Sequence, residues 1–460
     1  MTSSVADRGG TPPRTFDRRL ILPLVLGAIL NPVNSSMLAV ALIPIGITFH
    51  ALPAQTAWLV SGLYLATATG QPVVGRLVDR YGARRLYLAG AALVGIAGLI
   101  GVLAPSLGVL VLARVLLGLG TCAGYPAAMY LIRRSGVEKP GGVLTALSVS
   151  AQTVVVVGPT VGGLLIGVAG WRSLFAVNIP LALAAIVLGW IRLPRADGRT
   201  GFEHRLDHLG IGLFAGSLTA LMLFLMDPAA GTLWLLPLTA ALAGGFVWRE
   251  LRYPDPFLDV RVFGGNAPLI ATYVRALLAQ TVAYAYLYGF TQWLEAGRGL
   301  SASAAGLLLL PMSLVAIGVS TVTGRRAEFR GKLLAGAISQ VLACALMLTL
   351  SSASALWIPV VISVIFGLPQ GLNSLANQNA VYFQADPSRM GASAGLLRTF
   401  SYLGAMVSSA ATGAFFRHGA DTAGLHDLAI FLIVVATLLL MLVLADRSLR
   451  GLGASASAAG

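Results

Sequence analysis

The sequence predicts an all-α integral membrane protein with about fourteen transmembrane helices. The 460 residues are 57% hydrophobic and 10% charged, with a mean hydropathy of +0.83, which excludes a soluble globular protein of this size. Apolar runs of roughly 20 residues, the length that crosses a bilayer, recur along the whole chain. The charges that sum to +14 lie between these runs, so the lipid bilayer is the expected partner and nucleic acid is not.

The apolar runs divide the chain into fourteen predicted spans. With the N-terminus in the cytoplasm, 25 of the 31 Lys and Arg residues fall in cytoplasmic segments, as the positive-inside rule requires. Adding or removing one span would invert this pattern downstream. We therefore predict a multi-pass protein of the plasma membrane with both termini in the cytoplasm. The predicted spans are residues 20–48, 56–76, 86–104, 107–131, 142–168, 173–193, 208–226, 233–248, 267–292, 303–323, 333–350, 355–383, 391–416 and 428–445.

A short charged segment separates the second and third spans. So many charges cannot lie in lipid, so we expect a hairpin that caps the ends of two helices. A glycine at each end would give the backbone freedom for the reversal. The residues of this segment that we single out are Gly75, Arg76, Asp79, Arg80, Gly82 and Arg84.

A similar pattern returns between the tenth and eleventh spans, where Gly324 and Glu328 stand 249 residues after Gly75 and Asp79. The first six spans cover 174 residues, so the offset leaves room for two inserted helices. This indicates two six-helix pseudo-repeats. The predicted divisions are a cytoplasmic tail at 1–19, a lobe at 20–193, a cytoplasmic linker at 194–207, two inserted helices with a loop at 208–262, a second lobe at 263–450 and a flexible tail at 451–460.

The charged segment resembles the signature loop of the major facilitator superfamily, Gly-x-Leu-x-Asp-Arg-x-Gly followed by basic residues. Segments 33–44, 171–180 and 249–263 resemble the fourteen-span drug:proton antiporter branch, whose members perform multidrug efflux. The resemblance implies the major facilitator fold and a monomeric secondary transporter that exports small amphipathic organic compounds by alternating access. It implies a proton gradient as energy source, with no cofactor. It also implies that Asp79 latches the cytoplasmic face against a helix start near 387–391.

The fourth span contains an arginine within an apolar run, Arg114. A charge that cannot be lost is costly in lipid unless it is paired or hydrated, so the side chain is expected to face a central cavity. The stretch resembles the second motif of the family, whose arginine is linked to proton transfer. The alternative is an arginine that extends toward the outer surface.

The fifth span contains Gly158, Pro159, Gly162 and Gly163. The Gly-Pro step predicts a bend, and the glycine pair predicts close approach of a neighbouring backbone. The stretch resembles the antiporter motif of the family. Ordinary helix packing in the membrane is the alternative interpretation.

Polar residues inside three spans are candidates for a substrate cavity. Amides need partners away from lipid, and aromatic rings with a few amides suit amphipathic organic molecules. Bonding between helices away from any substrate is the alternative for each. The candidates are Asn34 in the first span, Gln280, Tyr284, Tyr288 and Gln292 at a spacing of four in the ninth, and Gln370, Asn373 and Asn377 in the twelfth.

The carboxylates leave the proton carrier open. None of the acidic residues falls in the middle of a predicted span, and four of them, Asp227, Glu295, Asp421 and Asp427, are predicted in outer loops. The antiporter branch usually has an aspartate where Asn34 stands, and asparagine does not titrate. Asp79, Asp227 and Glu295 are the nearest alternatives. A cavity with an arginine and no acid would disfavour cationic substrates.

Other functional classes were weighed against this one. An uncoupled facilitator, or an importer of a neutral or anionic small molecule, gains support from Asn34. An enzyme is not expected, because the spans lack the buried acids and histidines of a catalytic site. A metal site is not expected either, because the two cysteines, Cys122 and Cys344, lie in separate apolar runs. The sequence has no phosphate-binding loop for ATP.

Overall fold

The structure is a computed structural model that describes residues 17–135, 141–195, 207–254, 256, 258, 260–323, 329–385 and 390–449. All regular secondary structure in these residues is helical, as predicted. The helices before the linker are α1 (Ile21–Ser36), α2 (Leu42–Phe49), α3 (Pro53–Tyr81), α4 (Ala83–Leu103), α5 (Leu107–Thr121), α6 (Gly124–Arg134), α7 (Gly141–Ala169), α8 (Ser173–Ala176) and α9 (Asn178–Arg192). Those after it are α10 (His208–Met226), α11 (Leu235–Arg252), α12 (Ala267–Ala285), α13 (Ala302–Leu308), α14 (Leu310–Thr323), α15 (Phe329–Met347), α16 (Trp357–Gln384), α17 (Met390–Phe415) and α18 (Thr422–Ala445).

Short irregular helices complete this set. A 3-10 turn at Met37–Val40 joins α1 to α2, and α12 continues into two π-helical segments, Tyr286–Phe290 and Trp293–Gly297. Further 3-10 turns lie at Arg18–Leu20, Ala230–Thr232 and Val260–Phe263. With these segments, each predicted span corresponds to one helical passage through the described residues.

Eleven of the passages are long and apolar enough to cross a membrane by composition alone. The other three are those of α3, α12 and α17, of which α17 packs on both of the others. These helices can carry more polar residues because protein, rather than lipid, surrounds much of their surface. The described structure is thus consistent with fourteen spans.

The lipid-facing surface is best seen on α18, the most apolar passage. Ile430, Val434, Leu438 and Met441 are each about half exposed and recur every three or four residues. The opposite side of the same helix is buried among its neighbours, with Leu428, Leu432 and Leu439 nearly inaccessible. An apolar stripe turned away from the protein is what a helix in contact with acyl chains requires.

The helices pack mainly with neighbours from the same half of the chain. In the first half, α1 packs on α7, α3 and α4 on α5, and α4 on α9. In the second half, α12 packs on α17, α14 and α15 on α16, and α15 on α18. The two groups meet along two seams, α3 with α17 and α7 with α13 and α14. The hairpin of α10 and α11 lies over the first seam, because α10 contacts both α3 and α17.

The expected hairpin at 75–85 is shorter than predicted. Helix α3 continues through Gly75 to Tyr81, and α4 begins at Ala83. Gly82 alone forms the turn, with a φ of 88° that favours glycine. Gly75 is therefore a helical residue, because the charged side chains around it extend the helix into water rather than ending it. We call the end of the molecule that carries Gly82 the basic face, and the other end the opposite face.

Candidate functional site

Four tyrosines form a cluster at the centre of the molecule, where both halves contribute. The Tyr64 ring of α3 lies 5.3 Å from that of Tyr284 on α12 and 5.8 Å from that of Tyr402 on α17. Tyr284 stacks on Tyr288 at 5.8 Å between centroids. The Tyr288 hydroxyl donates to the Ser35 carbonyl of α1 at 3.0 Å, and the Tyr402 hydroxyl to Gln71 of α3 at 2.9 Å. Two predicted candidates, Tyr284 and Tyr288, thus lie at a junction between the halves.

Arg114 lies beside this cluster and is 2% exposed. Its Nε donates to the Leu59 carbonyl at 2.9 Å, and its Nη1 to the Asn34 carbonyl at 2.8 Å. Its Nη2 has no hydrogen-bond partner among the described residues. The guanidinium borders a small cavity that has room for a water molecule. Arg114 therefore points inward and does not extend to the surface.

The Asn34 side chain forms a reciprocal amide pair with Asn178 of α9. Asn34 Nδ2 donates to Asn178 Oδ1 at 2.6 Å, and Asn178 Nδ2 donates to Asn34 Oδ1 at 2.9 Å. Both side chains are buried. The drug:proton antiporter branch that the chain resembles usually has an aspartate at the position of Asn34. This chain has instead a neutral amide pair whose members are hydrogen-bonded to each other. The Asn34 backbone, rather than its side chain, meets Arg114.

The next turns beyond Tyr288 are polar and buried. Gln292 donates from Nε2 to the Tyr288 carbonyl at 3.2 Å, and its Oε1 is unpartnered in the described structure. Glu295 was expected in an outer loop. It lies instead in the second π-helical segment and is 6% exposed. The π-helical turns continue the helix past the predicted end of the ninth span.

The remaining cavity candidates are Gln280 on α12 and three amides on α16. Asn373 donates to Gln340 of α15 at 3.3 Å, which is the helix-to-helix bonding weighed as the alternative. Asn377 is buried with an unpartnered Oδ1, as far as the described residues show. Gln370 is half-buried. Gln280 is half-buried against α17, where a Cβ added at Gly404 would meet the Gln280 Cβ at 3.1 Å.

The glycine motif of α7 allows close packing on two sides, against the first passage and across the second seam. A Cβ at Gly158 would overlap Ser36 of the first passage, and one at Gly162 would meet the Met37 backbone at 3.0 Å. On the other side of α7, a Cβ at Gly163 would lie 2.5 Å from the Ala302 carbonyl oxygen. The backbones of α7 and α13 therefore touch directly near the opposite face.

Hydrogen bonds reinforce this contact between the halves. Thr160, one residue after Pro159, donates to the Gly306 carbonyl at 2.8 Å. Ser303 donates to the Gly163 carbonyl at 2.7 Å. On the first seam, Ser409 of α17 donates to the Ala57 carbonyl of α3 at 2.9 Å. The molecule is thus closed near the opposite face along both seams.

The charged segment on the basic face joins several elements. Arg76 donates to the Pro256 carbonyl, which follows α11. Arg84 donates to the Trp190 carbonyl of α9 at 2.7 Å, and its guanidinium lies 5.0 Å from the Trp190 ring centroid. Asp79 is half-buried and Arg80 is exposed. Gly324, Glu328 and residues 387–389, the first part of the predicted latch partner at 387–391, lie outside the described residues.

A second buried charge belongs to an ion pair near the basic face. Arg275 of α12 is inaccessible and is bonded to Asp446, which follows α18. Thr272 receives a further bond from this guanidinium and donates to Gln384 at 2.6 Å. Arg275 thus ties α12, α16 and α18 together, which is a structural role.

Sequence reasoning missed Tyr64, Tyr402 and Asn178 as parts of the centre. The available signal was weak, because single tyrosines and amides inside apolar runs are also common packing residues. For Glu295 the signal was the spacing of 284, 288, 292 and 295, which continues one helix face into the assumed loop.

Comparison with known proteins gives a consistent match. Residues 24–409 match the family model described as Major Facilitator Superfamily. The chain is 35% identical over 423 residues to the uncharacterized MFS-type transporter YwoD of Bacillus subtilis (strain 168). The matched region covers 89% of this chain and 92% of that protein. It is 28% identical over 405 residues to the tetracenomycin C resistance and export protein of Streptomyces glaucescens, with coverages of 85% and 74%.

Among solved structures, the chain is similar to a bacterial homologue of the human lysosomal transporter Spinster in an inward-facing and occupied conformation. The TM-score is 0.63 at 17% identity, and the match covers 95% of this chain and 97% of that one. At this identity the likeness shows a shared fold.

Proposed function

The chain belongs to the major facilitator superfamily, and from that membership we propose that it exports small amphipathic organic compounds by alternating access, driven by proton entry. It is a multi-pass membrane transporter and not an enzyme. We further propose that the basic face lies in the cytoplasm with both termini, and that the protein works as a monomer in the plasma membrane. The two six-helix lobes at 20–193 and 263–450 would move against each other.

The observation that carries the proposal is the tyrosine cluster at the junction of the halves. Helices α3, α12 and α17 bring Tyr64, Tyr284 and Tyr402 together, with Arg114 beside them. Aromatic faces bind varied apolar bodies, and hydroxyl and guanidinium groups orient the polar end of a substrate. Separation of the halves would open this cluster to one side of the membrane at a time.

Closure near the opposite face supports an inward-directed or occluded state. Gly163 and Gly306 let α7 and α13 touch through their backbones, and hydrogen bonds from Thr160 and Ser303 hold them. We propose that this contact is the outer gate. The charged segment with Asp79 would act as the corresponding latch on the cytoplasmic face.

The charge of the centre predicts the charge of the substrate. Arg114 is cationic, and its neighbours Asn34, Tyr64 and Tyr288 carry no charge at neutral pH. A permanent cation would be repelled, whereas a neutral or anionic compound would be accepted. The relative named for tetracenomycin C resistance and export supports an organic antibiotic-like substrate.

The proposal is tested in inverted membrane vesicles with an imposed proton gradient. The probes are neutral phenylnaphthylamine, anionic fluorescein and cationic ethidium, each with and without a protonophore. Accumulation of the neutral or anionic probe that collapses with the protonophore is the expected result. The same assay on vesicles with a Tyr284→Ala variant should show at least tenfold less transport, whereas Tyr253→Ala, a tyrosine at the end of α11, serves as the control.

An uncoupled facilitator or importer is the second candidate. The Asn34–Asn178 pair favours it, because a neutral amide pair stands where the resembling branch has an acid. In that case the probes would equilibrate across vesicles at the same rate with and without the gradient.

A further inference from the structure

A buried acid in the second half of the chain has no partner among the described residues. Glu295 lies in the π-helical segment Trp293–Gly297, is 6% exposed, and its Oε1 accepts no hydrogen bond within the described structure. The other described acids with buried side chains each have at least one partner: Asp207 has Arg249, Asp446 has Arg275, and Glu250 accepts from the Leu258 amide through Oε2. π-helical turns are frequently retained at functional sites.

The charged groups around Glu295 do not neutralise it. Arg298, one turn further on, donates from Nη2 to the Ser354 carbonyl and lies over the Trp293 ring, while its Nη1 has no hydrogen-bond partner among the described residues. Among the elements packed against this segment, α13 contains no ionisable residue in its seven positions.

The remaining two neighbouring elements are α18 and the first π-helical segment. On α18, His426 is bonded to the Leu350 carbonyl, Asp427 is exposed, and the capping Asp421 accepts from the Gly424 amide. On the π-helical segment, Tyr286 is bonded to Ser363 and Tyr288 to Ser35.

An isolated carboxylate is unfavourable in such a place. Burial without a hydrogen-bond donor or a cation disfavours the charged form of an acid, so the neutral acid is the form that fits this site. Hydration would restore the charged form. A group whose protonation follows its access to water is what a proton-driven transporter needs.

Glu295 also lies next to the moving parts. Helix α13 contacts this segment on one side and touches α7 across the proposed outer gate on the other. On the same helix, Gln292, Tyr288 and Tyr284 lead from Glu295 back to the tyrosine cluster, and the Gln292 Oε1 is unpartnered in the part described. Glu295 lies seven positions after Tyr288, which is roughly 10 Å along a helix.

We propose that Glu295 is the residue that binds the coupled proton from the outer side, and that its neutralisation permits closure of the gate between α7 and α13. This proposal rests on the proposed function. Opening of the gate hydrates the carboxylate, which then takes a proton from outside. The neutral acid is buried on closure, and it releases its proton to water once the centre of the molecule opens toward the cytoplasm.

The test compares Glu295→Gln with Asp427→Asn, an exposed acid on the neighbouring helix α18. Inverted vesicles report phenylnaphthylamine transport, and an entrapped pH-sensitive dye reports probe-dependent proton movement. Glu295→Gln should lose at least 90% of both, whereas Asp427→Asn should keep both. Binding of the probe to the purified variants, measured by its fluorescence, should be unchanged and shows that they are folded.

The Glu295→Asp variant tests the pH dependence of transport, which would not change if Glu295 had a purely structural role. The aspartate keeps a carboxyl group but holds it one methylene closer to the backbone. Transport should therefore persist with a shifted pH profile. Proton movement by Glu295→Gln at the wild-type rate, or a Glu295→Asp profile that superimposes on the wild type, would overturn the assignment. Absence of any gradient-driven transport in the wild type would instead refute the proposed function itself.

Discussion

At the scale of single residues, Arg114 has a geometry that lysine cannot reproduce. Its Nε and Nη1 reach carbonyls on two different helices, those of Leu59 on α3 and Asn34 on α1. A lysine has one nitrogen at the end of a flexible stem and would leave one carbonyl without a donor. Loss of one such bond to a charged group costs about 1.5–3 kcal/mol, which corresponds to roughly 10- to 100-fold in an equilibrium or a rate.

We therefore expect Arg114→Lys to transport phenylnaphthylamine at least tenfold more slowly at unchanged membrane levels. Arg252→Lys, an exposed arginine stacked on Trp248, is the matched control and should transport normally. Equal rates for Arg114→Lys and the wild type would show that the guanidinium geometry has no part in transport.

Asp207 caps α10 and should make stability depend on pH. Burial raises the pKa of its carboxyl, but hydrogen bonds from Arg249 and the Gly210 amide outweigh burial and hold the pKa below its ordinary value. A lowered pKa in the folded state adds stability that is present above the unfolded pKa of about 4 and is lost as the pH falls through the folded pKa.

Thermal unfolding of the purified protein should therefore show a lower midpoint for Asp207→Asn at pH 7. The difference from the wild type should shrink as the pH is lowered from about 5 toward 3. Asp427→Asn should unfold like the wild type throughout. A difference that stays constant with pH would mean that the effect comes from the cap alone and not from the charge.

At the scale of helices, close contact at the second seam depends on Gly163. A methyl group there would lie 2.5 Å from the Ala302 carbonyl, so α7 and α13 must separate to admit it. Overpacking of this kind costs about 1–3 kcal/mol. Gly212→Ala in α10 is the matched control, because no atom lies within 4 Å of the added methyl group.

Gly163→Ala should consequently bias the transporter toward an open outer gate and reduce transport about tenfold or more. The bias is measured with Ser303→Cys in both backgrounds, as labelling from outside by an impermeant maleimide. Labelling should increase with Gly163→Ala and not with Gly212→Ala. The native cysteines, Cys122 and Cys344, are buried and should not contribute.

Hydropathy could predict the all-helical fold and a series of passages with which the described structure is consistent, because lipid sets the length of an apolar run. Hydropathy predicted the ends of helices poorly where lipid does not set the helix length. Helix α3 runs on to Tyr81 since charged residues continue a helix in water, and the π-helical turns carry the ninth passage to Gly297. A charge in the sequence therefore did not mark the end of a helix.

Contacts between residues that are far apart in the sequence could not be predicted from hydropathy. Asn34 and Asn178 are 144 positions apart, and nothing local to either indicates that they pair. Hydrophobic pattern gives the face on which a residue lies, not the helix that it meets. Arg114 could be predicted to point inward, because the cost of an unpaired charge leaves few alternatives.

At the scale of the whole molecule, the account depends on movement between the two halves. The seams of α3 with α17 and α7 with α13 are closed near the opposite face, and the tyrosine cluster lies between them. Interfaces of this kind have discrete arrangements rather than continuous ones, since close packing resists partial opening. Under the proposed export mechanism, the closed seams would separate in each cycle to release substrate to the outside.

The most direct measurement is a cross-link across the first seam. A Cβ at Gly413 of α17 would lie 3.9 Å from the Ala54 Cβ of α3, which matches the spacing in disulfides. We expect Ala54→Cys with Gly413→Cys to lose proton-driven efflux on oxidation and to recover it with reductant, while each single variant stays active. Efflux at the wild-type rate by the fully cross-linked protein would contradict alternating access between the halves.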